Sequence, residues 1–177
     1  GTIGSGGFSG VNLGIITNCS SSASVSGTNA VGGFVGWGSG DAENCYSTGE
    51  TTGGHYVGGF IGRVDSGAAI SNCYSTGETI GSGTEHGGFA GRFAGGTIND
   101  CFWDNDTVMQ TSDTGNLGDT PDITGLNTID LLNNFTYTNA GWDFNNTWFS
   151  VNGSTRPFLR MEHKNEICNS HQLQLMN

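Results

Sequence analysis

Apolar positions along this chain come in short runs of three to six residues, rich in Val, Ile and Phe and broken by glycine every six to nine residues. No stretch of the first hundred residues carries long helix formers at 3.6-residue spacing, so the pattern predicts short strands with tight turns. The runs also repeat. Gly6-Gly7-Phe8, Gly32-Gly33-Phe34, Gly58-Gly59-Phe60 and Gly87-Gly88-Phe89 open four copies, with the Phe positions 26, 26 and 29 residues apart. Asn18-Cys19, Asn44-Cys45, Asn72-Cys73 and Asp100-Cys101 mark the middle of each, with the Cys positions 26, 28 and 28 apart. Self-similarity at such a period is the mark of stacked supersecondary units.

Coils of about three short strands, each stacked some 4.8 Å above the last, satisfy both the period and the glycine spacing. The fold predicted is all-β: a right-handed parallel β-solenoid, or β-helix, of about 3.5 coils. Equivalent residues then form columns. Phe8, Phe34, Phe60 and Phe89 make one inward column, and Ile16, Ala42, Ile70 and Ile98 a second. Cys19, Cys45, Cys73 and Cys101 form a third, as small hydrophobes in a dry interior. Asn18, Asn44, Asn72 and Asp100 read as a corner ladder, since Asn tolerates the left-handed conformation. The glycines around Phe are expected to supply positive φ and close backbone approach.

Gly-Gly-Phe-x-Gly followed by Ile-x-Asn-Cys-Tyr-Ser-Thr-Gly resembles the GLUG repeat of large bacterial and archaeal surface proteins. These include filamentous-haemagglutinin-like adhesins and the repeat regions of IgA-cleaving peptidases. The resemblance covers residues 6 to 107, and Cys101-Phe102-Trp103-Asp104 through Arg156-Pro157-Phe158-Leu159 is similar to the segment that closes such arrays. It implies a scaffold with a working surface rather than an enzyme. The first copy departs from the pattern, with Ser20-Ser21-Ser22 in place of Tyr-Ser-Thr.

After Trp103 the pattern stops. Three regions are expected: repeats over 1–103, a capping segment over 104–163 and a tail over 164–177. Ile129 to Leu132 is the one short helical stretch expected, capped by Asn127 or Thr128. Trp103, Trp142, Phe144, Trp148 and Phe158 belong to an aromatic concentration suited to covering an open solenoid end; a sugar-stacking platform is the other use for such rings.

Composition narrows the partners. Of 177 residues, 34% are hydrophobic, too few for an ordinary globular core but enough for a narrow solenoid interior. Sixteen acidic and five basic residues give a net charge of -11. Arg63, Arg92, Arg156, Arg160 and Lys164 form no stripe, so nucleic acid and anionic membrane surfaces are disfavoured. No apolar run is long enough for a membrane span. The chain opens without Met in what reads as mid-repeat, so a processed product or a piece of a longer array is expected. Five glycosylation sequons are about what chance gives at this composition.

Candidate chemistry is sparse. Glu50 and Glu78, with Asp106, share a place five residues after their cysteines; stacked carboxylates there would suit a glycan-acting β-helix enzyme or calcium. Asp104, Asn105, Asp106 and Asp113 offer oxygen ligands without EF-hand spacing. No cofactor is required, calcium being the alternative. His55 and His86 precede a Gly-Gly-Phe at different offsets and read as loop residues. His163, Cys168 and His171 are a thin metal set, and Cys168 is the candidate for an intermolecular bond. Trp37, Arg63 and Arg92 read as an outward ridge with Trp37 stacked on Arg63. No nucleophile triad, phosphate loop or zinc motif occurs.

The sequence therefore predicts a non-catalytic extracellular module of a cell surface, structural or adhesive. Its partners would be neighbouring repeats, homotypic copies, a surface glycan or a host protein. A self-assembling filament or sheath subunit, stacking through its first coil, is the alternative.

Overall fold

The computed structural model describes residues 4–107, 110–116 and 121–163. These fall into two compact units, meeting in sequence at Leu126 and Asn127. The first is a parallel β-solenoid of about four turns.

Each coil has four strands, not three, and like strands of successive coils pair in parallel into four sheets. The first face stacks Ser5–Gly6, Val25–Gly32, Thr51–Gly58 and Thr79–Gly81, with His86–Gly87 also on Thr51–Gly58. The second stacks Ser9–Asn12, Val35–Gly38, Ile61–Val64 and Ala90–Phe93. The third stacks Ile15–Thr17, Asp41–Glu43, Ala69–Ser71 and Thr97–Asn99. The fourth stacks Ser20–Ser21, Tyr46–Ser47, Tyr74–Ser75, Cys101–Asp104 and Ile123–Leu126.

The expected corner ladder lies where the third face ends and the fourth begins. Asn18, Asn44, Asn72 and Asp100 have φ of 54°, 53°, 52° and 52°, which turns the chain between the third and fourth faces. A second corner, within the long first-face strands, falls on Ala30, Tyr56 and Glu85 at φ of 50°, 53° and 63°. None of these three is a usual left-handed former, so residue type alone does not mark that corner. The departing first copy is in register nonetheless, with Ser20 opposite Tyr46 and Ser21 opposite Ser47.

The glycines around Phe do not supply positive φ. Among described glycines that conformation occurs only at Gly67, Gly95, Gly96, Gly141 and Gly153. The Gly-Gly-Phe-x-Gly glycines serve close approach alone. A Cβ at Gly62 would lie 2.5 Å from the Gly36 carbonyl oxygen and from the Val31 amide nitrogen, and one at Gly91 would lie 2.5 Å from the Val57 nitrogen. Second-face strands thus touch the bend of first-face strands backbone to backbone.

The second glycine of each pair makes room for a side chain. A Cβ at Gly33 would sit 3.1 Å from Ser47 Cβ, and one at Gly59 would sit 2.9 Å from Ser75 Oγ. Those buried serines donate to the coil above, Ser47 to the Gly59 carbonyl at 2.7 Å and Ser75 to the Gly88 carbonyl at 2.9 Å. That contact is why Gly-Gly-Phe and Tyr-Ser-Thr travel together in the sequence. In the last copy Trp103 takes the serine place, opposite Ser75, and its ring lies over Gly88.

Pairing continues past Trp103, where the sequence pattern stops. Ile123–Leu126 pairs with Cys101–Asp104, Phe89 N donates to Asp113 O at 3.0 Å, and Trp103 Nε1 donates to Asp113 Oδ1 at 2.6 Å. Asn116 supplies the rung with a side chain, accepting from Phe93 N at 2.6 Å and donating to Phe93 O at 2.7 Å.

The second unit has its own small core. Helix Thr128–Leu131 is capped by Asn127, whose Oδ1 accepts from Asp130 N at 2.8 Å. A helix not expected from sequence, Asn134–Asn139, is capped by Asn133. Leu131, Tyr137, Trp142 and Trp148 are buried, with Tyr137 and Trp142 ring centroids 4.8 Å apart and Trp142 and Trp148 4.6 Å apart. A short antiparallel pair, Trp148–Phe149 with Phe158–Leu159, completes it. Phe158 is buried and Phe144 half-buried.

Gly62→Ala is expected to cost at least about 3 kcal/mol, because a methyl group must push apart a pair of backbones in contact. Gly14→Ala, where a Cβ meets nothing within 4 Å, should stay within about 0.5 kcal/mol. Denaturant melts of both variants check this, and equal costs would contradict the backbone contact.

Candidate functional site

The interior columns hold most of the residues that the sequence singles out. Phe8, Phe34, Phe60 and Phe89 stack with ring centroids 4.9, 4.9 and 4.8 Å apart, and the last three are fully buried. Tyr46 and Tyr74 stack at 5.0 Å with planes 1° apart.

Cys19, Cys45, Cys73 and Cys101 are free thiols. Each donates to the carbonyl two residues earlier, at 3.2, 3.2, 3.1 and 3.2 Å, across the left-handed corner. Burial pushes the Cys73 thiol well above its usual range, and burial with the neighbouring Cys45 raises Cys19. The thiols therefore brace the corners of a dry core. Cys168 and His171 lie outside the described residues, as does the tail from 164.

The candidate oxygen ligands are occupied structurally. Asp104 is fully buried and its Oδ1 accepts from Asp106 N at 3.1 Å, while Asp113 Oδ1 is held by Trp103. Asp106 sits in the turn after Cys101–Asp104, where Thr107 Oγ1 donates back to Thr76 O. Among the described residues no three His, Cys, Asp or Glu side chains gather as a metal site. Glu50 and Glu78 are exposed, and Glu50 accepts from Thr52 Oγ1 at 3.1 Å. His163 packs on Phe149, with centroids 4.2 Å apart.

Trp37 and Arg63 do face outward together, but the bond between them runs through a carboxylate. Trp37 Nε1 donates to Asp65 Oδ2 at 2.8 Å and Arg63 Nε to Asp65 Oδ1 at 2.7 Å. The cation–π contact belongs to Arg92, whose guanidinium carbon lies 5.4 Å from the Tyr56 ring centroid.

Sequence reasoning missed a concave feature of the first face. An open trough of about 520 Å³ crosses three coils there, lined by Ser26, Thr28, Thr52, His55, Ile80 and Ser82 over glycine backbone. A repeat defect shapes it. Gly53 pairs with Gly81, an offset of 28, whereas Val57 pairs with His86, an offset of 29, so the third coil carries one extra residue between them.

That bulge sets His55 in the trough lining and lets His86 reach the backbone of its floor. Thr84 N donates to His55 Nδ1 at 3.2 Å, so Nδ1 is the acceptor and the ring proton sits on Nε2. The ring lies over Gly83, where a Cβ would be 2.7 Å from Nδ1. His86, lying over Gly81, donates from Nε2 to the Gly54 carbonyl at 3.1 Å and fixes the floor. Gly54 keeps the floor bare, since a Cβ there would sit 2.6 Å from Thr28 O.

Residues 27–52 and 53–81, which hold all of the trough lining but Ser26 and Ser82, both match the model of the GLUG motif. Both stretches are similar to the GLUG repeat. The crystal structure of a candidate immunoglobulin A1 protease from Bacteroides ovatus superposes with a TM-score of 0.61. Identity is 24%, over 90% of this chain and 54% of that one, so the chain spans about half of it and the likeness is one of fold. No curated protein sequence is significantly similar. The GLUG signature thus maps onto the interior: its Phe, Cys and Asn are columns, and its glycines are contacts.

In a Cys168→Ser background, iodoacetamide at pH 8 should modify Cys19, which is partly exposed. Cys45, Cys73 and Cys101 should react on the order of 100-fold or more slower, because access requires local opening. Mass spectrometry of the alkylated peptides tests it; even labelling of all four would contradict a closed column.

Proposed function

We propose that this chain is a non-catalytic, extracellular β-solenoid module of a surface or secreted protein, structural and adhesive in role. The observation that carries the reading is how the side chains with chemistry are used. The thiols brace corners, Asp104 and Asp113 hold turns, and Glu50 and Glu78 stand in solvent on outward turns. What remains is a stack of coils whose outward positions the packing does not fix, the construction that repeat proteins use to present a surface. The GLUG repeats and the B. ovatus likeness support a secreted or surface setting. No helix among the described residues is long and apolar enough to cross a membrane.

Antibody raised against the chain should label intact, unpermeabilised cells of the producing organism. Signal appearing only after permeabilisation would sink the extracellular assignment.

One observation favours a second reading, association through the first coil. Phe8 is 48% exposed while its column mates are 0%, and Leu13 and Ile15 beside it are 70% and 76% exposed. A further coil, from neighbouring repeats of a longer chain or from another copy, would cover the Phe8 ring and pair the outer edge of Ser9–Asn12. Light scattering after size exclusion should show association of this chain rising with concentration, and Phe8→Asp should abolish it. A wild-type chain monomeric at every concentration would remove this reading.

A further inference from the structure

We propose that the trough on the first face binds a neutral glycan chain laid across the rungs. This deepens the surface-module reading and rests on it for its biological setting.

The lining selects the ligand. Ser26 and Thr28 present hydroxyls that donate and accept, Thr52 and Ser82 present hydroxyl oxygens that accept while their protons go to Glu50 and the Gly53 carbonyl, and His55 adds an Nε2–H donor fixed by the bond Thr84 makes to Nδ1. A polyol, whose hydroxyls both donate and accept, matches such a set without burying an unpaired group. Ile80, 42% exposed, offers an apolar ledge, suited to the C–H face of a sugar ring. No lysine or arginine lines the trough, while Glu50, beside Thr52 and bonded to its hydroxyl, brings negative charge to the rim. An anionic polymer is therefore disfavoured.

A peptide strand fits less well. The trough lies on the face of a sheet whose amides and carbonyls already pair along the axis, from Val25–Gly32 to Thr51–Gly58 to Thr79–Gly81. Strand addition needs a free edge. Three rungs span about 10 Å, enough to seat a disaccharide unit with the chain running on at either end. The floor is also preset: His86 anchors the Gly54 carbonyl, and Gly54 lies so close to the Thr28 backbone that the two cannot shift toward each other. Little reordering is then needed on binding.

The test is saturation-transfer NMR and calorimetry on the full chain with cellohexaose, mannohexaose, maltohexaose and chitohexaose, against polygalacturonate and an extended heptapeptide. At least one neutral hexasaccharide should bind in the micromolar to millimolar range typical of shallow sites, and neither polygalacturonate nor peptide should. Thr28→Trp and Ser82→Trp, both exposed and filling the trough, should weaken binding at least tenfold; Thr97→Trp, exposed on the third face, should leave it unchanged. Circular dichroism and melting temperature confirm that the variants fold. Silence from all four neutral probes overturns the proposal, as does binding unmoved by both filling variants or confined to polygalacturonate or peptide. Binding by a protein found only inside cells would instead overturn the surface reading and leave the trough standing.

Discussion

The structure depends on one constraint: each coil's backbone hydrogen bonds run along the axis to the next coil, so whatever one rung does its neighbours must do too. Phe8 donates to Phe34, Phe34 to Phe60 and Phe60 to Phe89, at 3.0, 2.9 and 2.9 Å. A turn that misses its place leaves a buried amide unpaired, at about 1–3 kcal/mol. The glycine contacts sharpen the demand. Gly36, Gly62 and Gly91 lie against backbone of the preceding first-face strand, so those positions have no room even for a methyl group. Identity within a column is therefore a packing requirement, repeated at every level.

The same constraint explains how a chain with so few hydrophobic residues closes a core. Stacked rings cover each other's faces, and only an end ring such as Phe8 meets water on a full face. Polar atoms inside are consumed locally: Ser47 and Ser75 by the coil above, Thr51 Oγ1 by Thr79 Oγ1 at 3.3 Å, and each thiol by its own corner. Little interior volume needs filling because the faces touch at backbone distance. Glycine here narrows the hydrophobic core rather than loosening it.

That logic sets what the sequence could reveal. The Phe, Cys and Asn columns were legible because a residue fixed by its neighbours above and below recurs with the period. The fourth face was not counted, although its Asn corner was, since strands of two residues such as Tyr46–Ser47 and Tyr74–Ser75 are too short to show as a separate run. The corner at Ala30, Tyr56 and Glu85 was hidden because three unlike residues share one backbone conformation, imposed by the ladder and not by propensity. Ile123–Leu126 joins the stack with no motif, since outer rungs need strand-forming residues but no partner column beyond. Asn134–Asn139 is helical despite two Thr, a Tyr and a Phe, its Asn133 cap and the burial of Tyr137 outweighing weak propensity. Where the second unit's aromatics gather was visible as a concentration; that Tyr137, Trp142 and Trp148 form a core among themselves was not.

The trough escaped notice for a related reason. Ser26, Thr28, Thr52 and Ser82 point outward, where the period imposes nothing, so their types carry no signal of their own. His55 and His86 sit at different offsets from Phe and looked unrelated. One extra residue in the third coil changes that, letting His86 reach the Gly54 carbonyl while Thr84 reaches His55. In a fold where regularity is enforced by packing, a tolerated irregularity marks a place where packing is not the only demand. The bulge costs the ladder a regular rung and produces a walled, glycine-floored concavity with one oriented imidazole.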